Sequence, residues 1–207
     1  MGDFFMIPRQ LHFVWVGDES KTPHRYINSW SRLNPDFDVR VWGNADLKSG
    51  WILAKHMRHF WDRELCGVAD LMRWEILYKY GGIALDADSE AVSVIPEYLL
   101  EPDVWCCWES ELLRPGLLSN GAVGAVPENP LIGQIIEDLQ ADEPGDLMAW
   151  QFSGPGRLTY TWQQYEYRDL TIWPSQLFLP DHFAGLPYNG RGPVIARQAW
   201  NSTRGKW

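Results

Sequence analysis

Apolar and polar positions along this chain fall into two alternating kinds of block. "LHFVWV" (11–16) is apolar on both faces and stops at Gly17-Asp18, the pattern of a central parallel strand. "PHRYINSWSRL" follows with Pro23 at its start and predicts a helix. "NPDF" is a turn. "DVRVWG" sets Val39 and Val41 against Arg40 and predicts a second strand. Residues 44–65 are expected to be helical, capped by Asn44 or Asp46 and interrupted at Gly50. "GVADLMRWEILYKYGG" predicts a strong helix stopped by Gly81-Gly82. "IAL" (83–85) then runs straight into Asp86 and Asp88. Further strands are expected at "VWCCWE" and "GAVGAVP", and a helix at "PLIGQIIEDLQ". Strand, helix, strand, helices, strand is the alternation of an α/β fold with a mostly parallel sheet.

In such a sheet, ligands bind beyond the carboxyl ends of the strands. Asp86 and Asp88 stand at that edge. If the segment stays extended, side chains two residues apart point the same way, with the small Ala87 pointing away. Two carboxylates that converge repel unless a proton or a metal lies between them, and oxygen ligands suit Mg²⁺ or Mn²⁺. A solvated turn or a helix cap is the plainer reading of D-x-D.

The preceding helix carries a second polar feature. At about 100° per residue, Asp70 and Arg73 fall within about 60° of each other. Glu75 and Lys79 fall together on nearly the opposite side and are expected to form a solvent-facing pair. The rest of the helix is apolar, so Asp70 and Arg73 are expected to face protein or a cleft. They form either a salt bridge or a pair that receives ribose hydroxyls and phosphate.

Composition narrows the function. A chain of 207 residues with 45% hydrophobic and 22% charged residues suits a single domain over 1–207. The net charge of −9 argues against nucleic acid, which requires a basic patch. An anionic ligand would need a cation as intermediary. No apolar run approaches the roughly 20 residues of a membrane span. "MGDFFMIPRQ" lacks the layout of a signal peptide. Three cysteines, Cys66, Cys106 and Cys107, make no disulfide framework and suit a reducing, cytoplasmic setting. No His/Cys spacing suggests zinc. Thirteen tryptophans serve core packing or stacking on sugars and bases.

"IPRQLHFVWVGD", "GVADLMRWEILYKYGGIALDADSE", "SNGAVGAVPENPLIG" and "SGPGRLTY" occur in that order. On these blocks the chain resembles glycosyltransferase family 32, the DXD-containing sugar transferases. Its N-terminal block is similar to the catalytic domain of the large clostridial glucosylating toxins. The resemblance implies a GT-A fold, Rossmann-like with a mostly parallel central sheet, and a nucleotide-sugar donor. It also implies a Mn²⁺ or Mg²⁺ ion on the DXD and transfer to an acceptor hydroxyl with retention of anomeric configuration. A UDP-sugar is the expected donor, with GDP-mannose second; the acceptor is a glycan or another hydroxyl compound. Trp15, with Val14, falls where the family stacks the nucleobase. Asp70 and Arg73 fall where it binds ribose, diphosphate and donor sugar. Asp86 and Asp88 are the DXD, the second the more direct metal ligand, and Asn120 lies in the block near donor sugar and acceptor. Two departures stand out. Ala84 replaces an aromatic residue two positions before the first aspartate. "RQAWNSTRGKW" replaces the family's closing His-x-Trp…Ser-Trp motif, leaving Gln198, Asn201 or Ser202 as third metal ligand and Trp207 as a cap on the diphosphate. Two rivals remain from the residues alone: a two-carboxylate glycoside hydrolase, and a non-catalytic nucleotide- or glycan-binding module. A metal-dependent nucleotidyltransferase is a further rival.

Overall fold

The computed structural model describes residues 6–48, 50–201 and 204. Its centre is a six-stranded sheet of β1 (Gln10–Val14), β2 (Asp38–Trp42), β3 (Gly82–Leu85), β5 (Val104–Ser110), β6 (Arg114–Ala125) and β7 (Leu170–Trp173), in the order β2-β1-β3-β6-β5-β7. β1 pairs in parallel with both β2 and β3, and β5 with β7. β6 runs antiparallel to both β3 and β5. β3 and β5 therefore point the same way, and their carboxyl ends share one edge. A separate antiparallel pair joins β4 (Ser89–Ala91) to β8 (Ala196–Gln198).

One face of the sheet is covered by α2 (Ala54–Trp61), α3 (Leu65–Tyr80), α4 (Pro130–Ala141), α5 (Ala149–Phe152) and α6 (Pro155–Gln164). α3 is buried on almost every side, which explains why its apolar residues show no clean stripe in sequence. Its stop is physical: Gly81 and Gly82 take φ of 63° and 93°, a backbone that residues with a Cβ avoid. His12 crosses this turn. It donates through Nε2 to the Gly81 carbonyl at 3.0 Å and accepts from Trp42 Nε1 through Nδ1 at 3.3 Å. Burial pushes its pKa down to about 4.

The other face packs against α1 (His24–Leu33), the 177–179 turn and the strand pair, with Trp30, Phe13, Trp105 and Phe178 among its buried rings. α1 ties down β4: Trp30 Nε1 donates to the Ser89 carbonyl at 2.8 Å, and the Ala91 amide donates to Ser29 Oγ at 2.8 Å.

The expected elements are present, with two corrections. Glu75 does not share a solvent face with Lys79. It is buried and accepts the Ile52 and Leu53 amides, each at 2.8 Å, because the approach to α2 lies over that side of α3. The segment after β3 is also not extended. The Ser89 amide donates to the Asp86 carbonyl at 3.0 Å, so the two aspartates meet across a tight turn. Val41 is exposed on the edge strand β2. The three cysteines are free.

Candidate active site

The turn after β3 puts two carboxylates at the carboxyl edge of the sheet, and each is gripped from outside by a fixed donor. Asp86 Oδ1 accepts from the Arg73 guanidinium. Asp88 Oδ2 accepts from the Asn201 amide at 2.7 Å. The two remaining oxygens, Asp86 Oδ2 and Asp88 Oδ1, both accept from one nitrogen, Nε2 of Gln198. Gln198 reaches them because β8 pairs Gln198 with Ser89.

Behind this pair lies a polar layer from α3 and β6. Arg73, 4% exposed, also donates to the Asn120 carbonyl. Asn120 Nδ2 donates to Asp70 Oδ1 at 2.7 Å, and Arg73 stands 3.8 Å from that oxygen. Asp70, Arg73, Asn120, Asp86, Asp88 and Gln198 are thus one connected network. Two glycines make room for it. A Cβ on Gly121 would stand 2.8 Å from Asp86 Oδ2, and one on Gly154 would stand 2.9 Å from Asp70 Oδ2.

The electrostatics follow from burial and like charge. Burial pushes Asp70 up to about 7; Arg73 pulls against this and Asp86 adds to it. Burial, with the Asp86 charge beside it, pushes Asp88 up to about 6. Burial opposes the charge on Arg73, but Asp86 and Asp70 more than offset that and hold its pKa above the ordinary value. Carboxylates held up in this way are short of positive charge.

That shortage fits a divalent cation. Two hard carboxylate oxygens converge on a single point, and a neutral amide is all that fills it. Among the described residues no cluster of three or more His, Cys, Asp or Glu side chains could cage a metal. Two carboxylate oxygens could serve a cation such as Mg²⁺, which takes one or two carboxylates and completes its shell with ligand phosphates and water. Turning the Gln198 amide over would offer the same point a carbonyl oxygen; the two ends of an amide are assigned from their partners.

The other expected site residues are placed as follows. Trp15 follows β1 at the same edge, half-buried, and its Nε1 donates to the Asp18 carbonyl at 2.9 Å. Val14 is buried in the core. Asn201 reaches the site with its main-chain N–H rather than its side chain. Ser202 and Trp207 lie outside the described residues. Gly121 and Gly154 went unassigned in sequence, although "SNG" and "SGPG" signal both.

The fold is the one seen in solved glycosyltransferase domains of the GT-A type, and the carboxylate pair stands at its sheet edge. The family model for the glycosyltransferase sugar-binding region containing the DXD motif matches residues 20–105, the stretch that holds Asp70, Arg73, Asp86 and Asp88. Inositol phosphoceramide mannosyltransferase 3 of Schizosaccharomyces pombe is 27% identical over 142 residues, covering 64% of this chain and 37% of that protein. Inositol phosphoceramide mannosyltransferase 2 of the same organism is 26% identical over 171 residues, covering 78% and 48%. The chain thus spans less than half the length of these two relatives. Among solved structures, the PaToxG glycosyltransferase superposes with a TM-score of 0.62 at 14% identity over 77% of this chain and 69% of that one. The UDP-bound glycosyltransferase domain of the YGT toxin superposes at 0.63 and 8% identity, over 82% and 80%. No described helix is long and apolar enough to cross a membrane.

Proposed function

We propose that residues 1–207 form one catalytic domain that moves a hexosyl group from a nucleotide-sugar to an acceptor hydroxyl, with the help of Mn²⁺ or Mg²⁺ and with retention at the anomeric carbon. The observation that carries this is the pair of inner oxygens, Asp86 Oδ2 and Asp88 Oδ1, aimed at one shared point at the sheet edge. A UDP-sugar is the first choice of donor, since a UDP-bound domain shares the fold. GDP-mannose is second, given relatives named as mannosyltransferases. The free cysteines support a reducing, cytoplasmic setting.

Asp88 and Asp86 would hold the cation, with Gln198 turning its carbonyl toward it. Bound there, a divalent ion acts as a Lewis acid on the donor diphosphate. The protein's own residues do the rest. Arg73 fixes Asp86 and adds permanent positive charge beside the diphosphate, where negative charge grows as the sugar leaves. Asp70 and Asn120 receive hydroxyls of ribose or donor sugar. Trp15 offers a ring face to the base at the end of β1. The acceptor oxygen bonds to the anomeric carbon as the bond to the diphosphate breaks. The electron pair leaves on the diphosphate, and the acceptor's proton passes to it. Closing this space to water protects the sugar from hydrolysis.

The hydrolase reading finds less support. Each aspartate has one oxygen taken by an internal donor and the other turned to the shared point, whereas a glycosidase pair must flank the scissile bond. The test is release of UDP from UDP-glucose, UDP-N-acetylglucosamine and UDP-galactose, with GDP-mannose in parallel, each with Mn²⁺ and with chelator. Cation-dependent cleavage that Asp88→Asn abolishes is the expected result. Cleavage of a simple aryl glycoside in chelator would replace this reading with the hydrolase.

A further inference from the structure

A second chain of contacts borders the same edge of the sheet, on residues that the donor site does not use. Glu109 lies near the carboxyl end of β5. β5 points the same way as β3 and stands two strands away, about 10 Å at ordinary strand spacing. That is the reach of a sugar ring beyond a diphosphate. Glu109 is only 6% exposed. Its Oε1 accepts from Arg114 at 3.0 Å, while its Oε2 takes no hydrogen bond from any described residue.

On one side of Glu109 stands His182. Its Nδ1 accepts the Ala184 amide at 3.2 Å, so in the neutral ring the proton sits on Nε2. That nitrogen is buried, has no hydrogen-bond partner among the described residues, and lies 3.6 Å from Glu109 Oε1. The His182 ring packs on Trp200 at 5.5 Å between centroids. Trp200 takes a φ of 56°, and the next residue, Asn201, donates its amide to Asp88. On the other side, the Arg114 guanidinium lies 4.8 Å over the Trp150 ring. The Trp150 Cα and Asp70 Oδ2 both press on Gly154, at 3.0 and 2.9 Å from where its Cβ would be. The belt Trp150–Arg114–Glu109–His182–Trp200 therefore starts beside Asp70 and ends beside Asp88.

A buried carboxylate held by Arg114, with His182 3.6 Å away, with one oxygen that no described residue hydrogen-bonds, and with two partly exposed indoles along the same belt, is suited to a polyhydroxylated ring. The carboxylate accepts from hydroxyls and the indoles cover C–H faces. We propose that this belt is the acceptor subsite, that it takes a sugar or cyclitol ring, and that Glu109 Oε2 accepts a hydrogen bond from the acceptor's hydroxyl. This rests on the glycosyltransferase reading above. Arg114 and His182 act as positioning residues that hold the carboxylate toward the cleft.

The test uses the whole chain and three probes: methyl α-D-mannopyranoside, methyl α-D-glucopyranoside and myo-inositol. Each is titrated by ligand-observed NMR, with and without UDP and Mn²⁺. At least one probe should bind the wild type, and Glu109→Gln should weaken it tenfold or more. UDP affinity should stay within twofold and the melting temperature within a few degrees of wild type. Preference for a pyranoside or for inositol separates a glycan acceptor from a cyclitol headgroup. If Glu109→Gln does not fold, Trp150→Ala, at an exposed ring, should weaken the same probe by fivefold. The subsite is overturned if no probe binds the wild type, or if the folded variant binds as the wild type does. Absence of UDP binding by the wild type would instead sink the glycosyltransferase reading and leave any polyol binding standing.

Discussion

α3 carries two acids, the half-buried Asp70 and the buried Glu75, five residues apart, and they do opposite things. Glu75 has both oxygens filled by main-chain amides of residues 52 and 53. Burial raises its pKa, and those amides pull it back down. It closes a loop onto a helix and has nothing left to offer. Asp70 faces the sheet edge, shares one side-chain amide with Asn120, and feels Asp86 as well as Arg73. Its network continues to Asp86 and Asp88, where two carboxylates divide one amide nitrogen. A buried acid saturated by the backbone stabilises the fold. Acids that converge with few donors, as Asp86 and Asp88 do, suit the proposed cation from outside.

The sharpest way to break this contrast is to remove the charge that the donor site holds in reserve. Asp88→Asn should lower cation-dependent transfer by at least about 100-fold, as loss of an electrostatic group at a reacting centre does. In chelator the same variant should melt a few degrees higher than wild type, since it deletes a disfavoured charge next to Asp86. Full activity in the variant, or a lower melting point in chelator, would remove Asp88 from the account. Arg73→Lys comes next. It keeps the charge but cannot bridge Asp86 and the Asn120 carbonyl with one planar fork. Donor affinity should fall about tenfold, and a loss of stability with unchanged affinity would make Asp70 and Arg73 a merely structural pair.

Glu75→Ala probes the other side of the contrast. It strands the buried Leu53 amide and the part-buried Ile52 amide, each worth roughly 1–3 kcal/mol. For a chain of this length each kcal/mol moves the melting temperature by about 2–4 °C, so a fall of about 4–24 °C is expected. UDP affinity measured on the folded variant should not change. If it falls, the two acids are not separable.

How much of this was legible in the sequence differs between the same two regions. The sheet, α3 and its glycine stop were readable because apolar runs and φ-permissive glycines are local signals. The inward direction of Asp70 and Arg73 followed from helical spacing. Glu75 was misread because its partners lie over 20 residues away in sequence, and a helical projection shows faces but not what covers them. Convergence of Asp86 and Asp88 was expected for the wrong reason: a turn, not an extended segment, brings them together. Gln198 could be nominated only through family likeness, since β8 joins β4 across more than a hundred residues. Glu109 and His182 carried no local signal at all.

pH gives the smallest effect and separates two groups of opposite sign. Asp88 is held up to about 6, so the folded state keeps its proton more tightly than the unfolded chain does. Cation-free protein should gain stability from Asp88 as pH falls from above 6 toward about 4. His12 is pushed down to about 4; the stability its neutral form contributes is full above about pH 6.5 and is lost as pH falls toward 4. Comparing wild type with Asp88→Asn across this range isolates the first term. A difference that stays flat with pH would refute the raised Asp88.

The central claim is that the sheet edge holds a nucleotide-sugar diphosphate through a cation on Asp86 and Asp88. It is tested most directly by melting the protein against UDP-, GDP-, dTDP- and CDP-sugars, with Mn²⁺ and with chelator. A ligand at about 100 times its dissociation constant adds about 2.7 kcal/mol to the folded state, which raises the melting temperature by about 5–10 °C at roughly 2–4 °C per kcal/mol. A UDP-sugar should give the largest rise, the rise should need Mn²⁺, and Asp88→Asn should lose it. A flat panel at saturating donor with well-folded protein, or an equal rise in chelator, would contradict the account.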